Sequence, residues 1–223
     1  SSDDFNFLVK KLNQKYQLLI PELPGHNNDK FNSKFSLINY VNSIVLLILR
    51  NNLCNLFFFS HSVGGIIPIL IAKRIKQKKK IKKFFNYEGN LTEYDTDTIT
   101  KKTLSYDIKE FDEKFNKLIG ICKKSNQSAI RLWSDSLNKT SSKAFYDLSK
   151  DTVMLSKKRI LLQFFRIFFR RKLYMFGSNS LLNFPQSFFG SERLILKNTG
   201  HFAFYDDKTK FLSIFLKLIY NCK

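Results

Sequence analysis

Acidic side chains are scarce in this chain of 223 residues: 18 Asp and Glu stand against 38 Lys and Arg, a formal net charge of +20. Cysteine is rarer, with three copies, Cys54, Cys122 and Cys222, far apart and without paired spacing. That excludes a disulfide framework and a cysteine-based metal site, and it suits a reducing compartment, the cytoplasm. No metal or cofactor is implied. No charged segment followed by an apolar core opens the chain, so no signal peptide is expected. The apolar stretch at residues 36–50 is too short to span a bilayer and is interrupted by Asn39, Asn42 and Ser43. Only four prolines are present. Together with abundant Lys, Asn, Ile and Phe, this marks a compositional bias of the whole sequence. A basic excess of this size raises nucleic acid or an anionic membrane as partner. Because lysine dominates it, the sequence favours a solvated surface, and nucleic acid is not expected. The lysine-rich run 73–83 carries no interleaved aromatic that would stack on bases.

What is present is a core and one sharp motif. A chain of this length with 43% hydrophobic residues can build a single sizeable core. The motif is Phe57-Phe58-Phe59-Ser60-His61-Ser62-Val63-Gly64-Gly65. Leu56 to Phe59 is four apolar residues without alternation, the pattern of a short buried strand, and residues 66–76 have the pattern of a helix. A strand that turns into a helix within three residues strains the corner residue and pushes its side chain outward; Ser62 is that residue. Gly64 and Gly65 are expected to let the helix start lie close to the strand. The backbone N–H of Val63, at the helix start, would face a developing oxyanion beside the serine oxygen.

This spacing resembles the G-x-S-x-G nucleophile elbow of the α/β-hydrolase superfamily, with Ser60 in place of the first glycine. Upstream, a helix over residues 5–14 and a strand at residues 16–20 lead into Pro21-Glu22-Leu23-Pro24-Gly25-His26, similar to the family's D-x-P-G-H-G loop, with Glu22 and Asn27 as departures. In that loop His26 is expected to pack the turn, not to catalyse. A helix over 36–50 follows, then the elbow. A strand at residues 81–87 closes on Glu88-Gly89-Asn90, the turn from which some members of the superfamily depart into a helical cap. Further strands are expected at 172–176 and 193–196, and a helix at 208–220 capped by Asp206 and Asp207. Asn198-Thr199-Gly200-His201-Phe202 ends the last strand, so serine comes first and histidine last, as in the family.

The resemblance implies a mostly parallel sheet with helices on both faces and an inserted helical cap. The expected division is a core of residues 1–90, a cap of 91–171 and a core completion of 172–223. It implies a serine hydrolase acting on a small ester-like or other acyl substrate. Ser62 would be the nucleophile, His201 the general base, and Val63 N–H an oxyanion donor. The loop after the third expected strand holds Asn179 and Ser180 where the family often places its acid. Glu88 is therefore the candidate; Asp95, Asp97 or no acid at all are the alternatives. The family's earlier strands and second oxyanion loop have no counterpart here. A missing upstream part is the expected explanation, and a member that does without it the other. The competing function is a non-catalytic protein of this fold whose pocket binds a small apolar ligand or a partner. Trp133 is expected to fill core. Residues 157–172 join apolar and basic side chains and could touch a membrane surface; a buried helix is the favoured reading.

Overall fold

The computed structural model describes residues 1–12, 15–29, 36–75, 80–96, 99–157, 159–183 and 193–220. Asp97, residues 76–79 of the lysine run, Lys158 and Cys222 lie outside the described residues. The chain divides into two compact units. One comprises Ser36–Ser105 and Leu148–Ala203, the other Ser1–Phe35, Tyr106–Asp147 and Phe204–Lys223. The expected cap thus contributes residues 106–147 to one unit and the remainder to the other.

The helices are α1 (Asn6–Leu12), α2 (Leu37–Arg50), α3 (Ile66–Arg74), α4 (Ile99–Leu104), α5 (Ile108–Lys123), α6 (Ser128–Asn138), α7 (Ser142–Ser156), α8 (Ile160–Phe168), α9 (Ala203–Asp206) and α10 (Lys208–Tyr220). The strands are β1 (Leu56–His61), β2 (Ile81–Tyr87), β3 (Lys172–Gly177) and β4 (Arg193–Leu196). The strands form one parallel sheet in the order β1-β2-β3-β4. The α/β class expected from the sequence is what the chain adopts. Because the four strands among the described residues run the same way, their carboxyl ends share one edge, and the residues that follow them emerge there together.

Within the sheet unit, β2 is the buried centre: Phe84, Phe85 and Tyr87 are inaccessible. The Phe84 ring packs at 5.5 Å from Phe165 and 4.7 Å from Phe169, joining α8 to the sheet. α3 is buried nearly all round, through Ile66, Pro68, Ile69, Leu70, Ile71 and Ala72, as expected of a helix with no polar face. It packs against both α2 and α8. α2 buries a single stripe, Leu37, Val41, Val45 and Ile48, at intervals of four, four and three. Each such side chain contributes roughly 1.5–3 kcal/mol of transfer free energy. The Ser36 hydroxyl caps α2 by accepting from Asn39 N–H, and the Asp151 carboxylate accepts from Leu37 N–H at 3.0 Å. α8 is only half a buried helix: Leu161, Leu162 and Phe165 face inward, but Ile160 and Ile167 are exposed.

In the other unit, α5 presents Phe111, Phe115, Ile119 and Cys122 to Leu137 of α6, and Trp133 packs against this cluster, so it is a core filler. Asp107 caps α5 and Asp207 caps α10 through Lys210 N–H, while Asp206 ends the short α9. The strand expected at residues 16–20 does not form among the described residues; the segment is irregular, and Tyr16 N–H donates to the Leu12 carbonyl at 3.0 Å. A strand needs a neighbour's N–H and C=O groups, and local β propensity cannot supply them. His26 donates from Nδ1 to the Pro24 carbonyl at 3.2 Å, inside a turn closed by Gly25 N–H on Asp29 and Asn27 on Glu22. Burial lowers its pKa below the usual histidine value. It is a loop-packing residue.

Candidate active site

β1 runs to His61, and a 3-10 turn, Ser62–Gly65, carries the chain directly into α3. At the corner Ser62 has φ of 53°. A β-carbon in that region is crowded by its own carbonyl, at a cost of about 1–3 kcal/mol, so the conformation persists only because the strand before it and the helix after it dictate it. The close approach that the elbow needs is made by Gly65. A β-carbon there would lie 2.6 Å from the Gly89 α-carbon and 2.7 Å from Asn86 Oδ1. Gly64, which the sequence suggested for this role together with Gly65, has open space around it. Beneath the turn, Ser60 Oγ donates to the buried Asn86 Oδ1 at 3.3 Å, and Asn90 N–H donates to the Ser62 carbonyl at 3.2 Å. A glycine at position 60 would forgo the first of these bonds, which gives the serine there a structural role.

β2 ends one position below this corner, with His61 opposite Tyr87. The next residue, Glu88, also has positive φ, 45°, while its N–H still donates to Met175 of β3 at 2.8 Å. Its side chain is buried. Oε1 accepts from Gly177 N–H at 2.9 Å, and Oε2 lies 2.6 Å from His201 Nδ1. A buried carboxylate is tolerable only when its oxygens are paired in this way. Since Nδ1 faces a carboxylate, it carries the ring proton, and Nε2 is left with its lone pair on a ring that is 39% exposed.

The turn that carries His201 is held on several sides. Tyr87 Oη donates to the Gly200 carbonyl at 2.6 Å, His61 Nε2 to the His201 carbonyl at 2.7 Å, and Asn179 N–H to the Thr199 carbonyl at 2.9 Å. Asn198 N–H reaches Ser178 Oγ at 2.8 Å. At Gly177 a β-carbon would lie 2.2 Å from the Thr199 carbonyl oxygen, so only glycine lets this turn rest on the end of β3. The rings of His61 and His201 are 4.5 Å apart. Burial, and then the neighbouring His201, pushes the His61 pKa well below the ordinary histidine value. His61 is therefore neutral, with its proton on Nε2, where the carbonyl fixes it.

Of the residues singled out in the sequence, the structure brings Glu88 and His201 into direct contact at the strand ends, and puts Ser62 at the strained corner of the same edge. Among the described residues Ser62 Oγ makes no hydrogen bond. Val63 N–H opens the 3-10 turn, among the donors that a helix start leaves without an intrahelical acceptor. Asp95 is committed elsewhere: its Oδ2 accepts from Leu91 N–H, Thr92 N–H and Thr92 Oγ1. The clamps Tyr87 and His61 were not recognisable as such, because the contact depends on a strand register that no local pattern encodes. No group of three or more potential metal ligands occurs among the described residues, and no helix among them is long and apolar enough to cross a membrane.

No family model matches the chain, and no curated protein matches it in sequence. Solved structures do match. The chain is similar to MenH from S. aureus, with 13% identity over 100% of this chain and 90% of that one at a TM-score of 0.75. It is similar to the esterase EaEST from Exiguobacterium antarcticum, with 13% identity over 98% and 87% and a TM-score of 0.72. It is also similar to the N-acyl homoserine lactonase AidH, with 12% identity over 100% and 86% and a TM-score of 0.69. The parallel sheet, the strand-to-helix corner at Ser62 and these likenesses together establish that the chain has the α/β-hydrolase fold.

Proposed function

We propose that the chain is a serine hydrolase acting on an ester-like or other small acyl substrate. The observation that carries this reading is the pairing of a serine at φ 53° with a His201–Glu88 contact of 2.6 Å on the same sheet edge. Ser62 Oγ attacks the carbonyl carbon as His201 Nε2 removes its proton. Glu88 holds the imidazole with its proton on Nδ1 and stabilises the imidazolium that forms. Val63 N–H donates to the oxyanion. The tetrahedral intermediate collapses with return of the proton from His201 to the leaving group, and water attacks the acyl-enzyme by the same route in reverse. An esterase and a lactonase among the similar structures support a hydrolytic reading, while their variety leaves the acyl class open.

A non-catalytic binding protein of this fold is the second reading, and the lack of a hydrogen bond from Ser62 Oγ among the described residues favours it. Turnover of short-chain p-nitrophenyl esters separates the two. The proposal expects hydrolysis that falls to background in Ser62→Ala. Hydrolysis of equal rate in wild type and Ser62→Ala supports the binding reading.

A further inference from the structure

We propose that the carboxyl ends of α2, α3 and α8 form a docking surface for an anionic lipid bilayer. α2 leads into β1, α3 precedes β2 and α8 leads into β3, and the strands are parallel. The carboxyl ends of all three helices therefore gather at the amino edge of the sheet, opposite the edge that carries Ser62, Glu88 and His201. α3 packs against both of the others, so the three make one layer.

Two observations coincide on this end. The first is exposed aliphatic surface additional to the buried stripes. Leu46 and Leu49, near the carboxyl end of α2, are 48% and 49% exposed, and Ile167, in the last turn of α8, is 73% exposed. The second is positive charge on helices that carry no carboxylate of their own. Arg50, Lys73, Arg170 and Arg171 stand at these helix ends, and Arg74 ties α3 to α2 through Asn42 at 2.8 Å. No Asp or Glu occurs in the sequence between Asp29 and Glu88, or between Asp151 and Glu192. None of the three helices thus carries a carboxylate.

Cations at helix ends are accounted for by the helix dipole and by solvation. Leucine and isoleucine exposed among them are not. A polyanion such as DNA matches the charge and offers nothing to the aliphatic side chains. An anionic bilayer matches both, with headgroups for the cations and the acyl boundary for Leu46, Leu49 and Ile167. The aromatic rings of α8 give no platform for bases: Phe164 and Phe168 are half-buried and stacked on each other at 4.7 Å. Docked this way, the candidate active site points away from the lipid.

Vesicle flotation of the full chain tests this, with phosphatidylcholine vesicles containing or lacking phosphatidylserine. The expected result is recruitment that requires phosphatidylserine and weakens with salt. Arg170→Gln with Arg171→Gln lowers the partition coefficient roughly thirtyfold, at about fivefold per charge. Leu46→Asn with Leu49→Asn and Ile167→Asn, which keeps every charge, lowers it by at least about tenfold. Thermal melts of both variants check that they fold; if the triple variant unfolds, the arginine pair decides. Failure of the wild type to float with phosphatidylserine vesicles at low salt overturns the proposal. So does recruitment unchanged in a folded triple variant, or duplex DNA binding without vesicle recruitment.

Discussion

His201 Nδ1 sits 2.6 Å from Glu88 Oε2, across a sequence separation of 113 residues and in the segments that follow two different strands. The other oxygen of Glu88 is taken by Gly177 N–H, so the carboxylate is oriented from both sides.

Glu88→Gln tests what that orientation does. The amide oxygen can still accept from Gly177 N–H, which leaves its NH2 facing Nδ1. The imidazole must then keep its proton on Nε2, where the base needs a lone pair. Ester turnover is expected to fall about 10³–10⁴-fold, with the circular dichroism spectrum unchanged.

Gly65→Ala and Gly64→Ala separate packing from sequence pattern. At position 65 the new carbon meets Gly89 backbone at 2.6 Å, which can be relieved only by moving the elbow against the β2 end. Urea unfolding should show a loss of about 1–3 kcal/mol. At position 64 nothing lies within 4 Å, and the change should be neutral to within about 0.5 kcal/mol.

His61 makes stability depend on pH in a predictable direction. Its pKa is depressed in the folded state, by burial first, so at neutral pH folded and unfolded chains both hold it uncharged. As pH falls below about 6.5 the unfolded chain takes up a proton that the folded chain refuses. Stability then falls by up to about 1.4 kcal/mol per pH unit until the folded pKa is reached. His61→Gln, which keeps a donor for the His201 carbonyl, should remove this share of the slope in urea titrations between pH 7 and pH 5. His26, depressed in the same direction, should add its own share.

Tyr87→Phe removes one of the two hydroxyl and imidazole donors that pin consecutive carbonyls, Gly200 and His201. Loss of that bond should cost about 1 kcal/mol of stability. If the clamp positions His201, turnover falls while KM stays. A double-mutant cycle with His61→Phe, which lacks the second donor, should show coupling of at least about 0.5 kcal/mol, because both act on one turn.

Local physics made much of this legible in the sequence. The unalternating Phe57-Phe58-Phe59 followed by small residues announced a strand and a sharp corner; the strand forms but its phenylalanines are half-buried, not buried as expected, and Ser62 has the positive φ that such a corner imposes. The stripe of α2 and the carboxylate of Glu88 at a strand end were legible for the same reason: periodicity and strand termini are local. What depended on register or on partners was not. The sequence suggested Gly64 and Gly65 alike for the close approach, which belongs to Gly65 alone, because which glycine meets β2 is set by the parallel register of Ser60 with Asn86. Residues 16–20 have strand propensity and form no strand among the described residues. The Tyr87 and His61 clamps join residues more than a hundred positions apart, and their sequence neighbours give no sign of it.

The reactivity of Ser62 is the most direct test of the central claim. Treatment of the folded chain with a fluorophosphonate, followed by peptide mapping, should give close to one equivalent of label, all of it on Ser62. Ser62→Ala should take none, and His201→Ala should slow labelling by at least about 10³-fold. A folded chain that takes no label, or takes it equally well without His201, contradicts an activated serine and leaves the α/β-hydrolase fold here in a binding role.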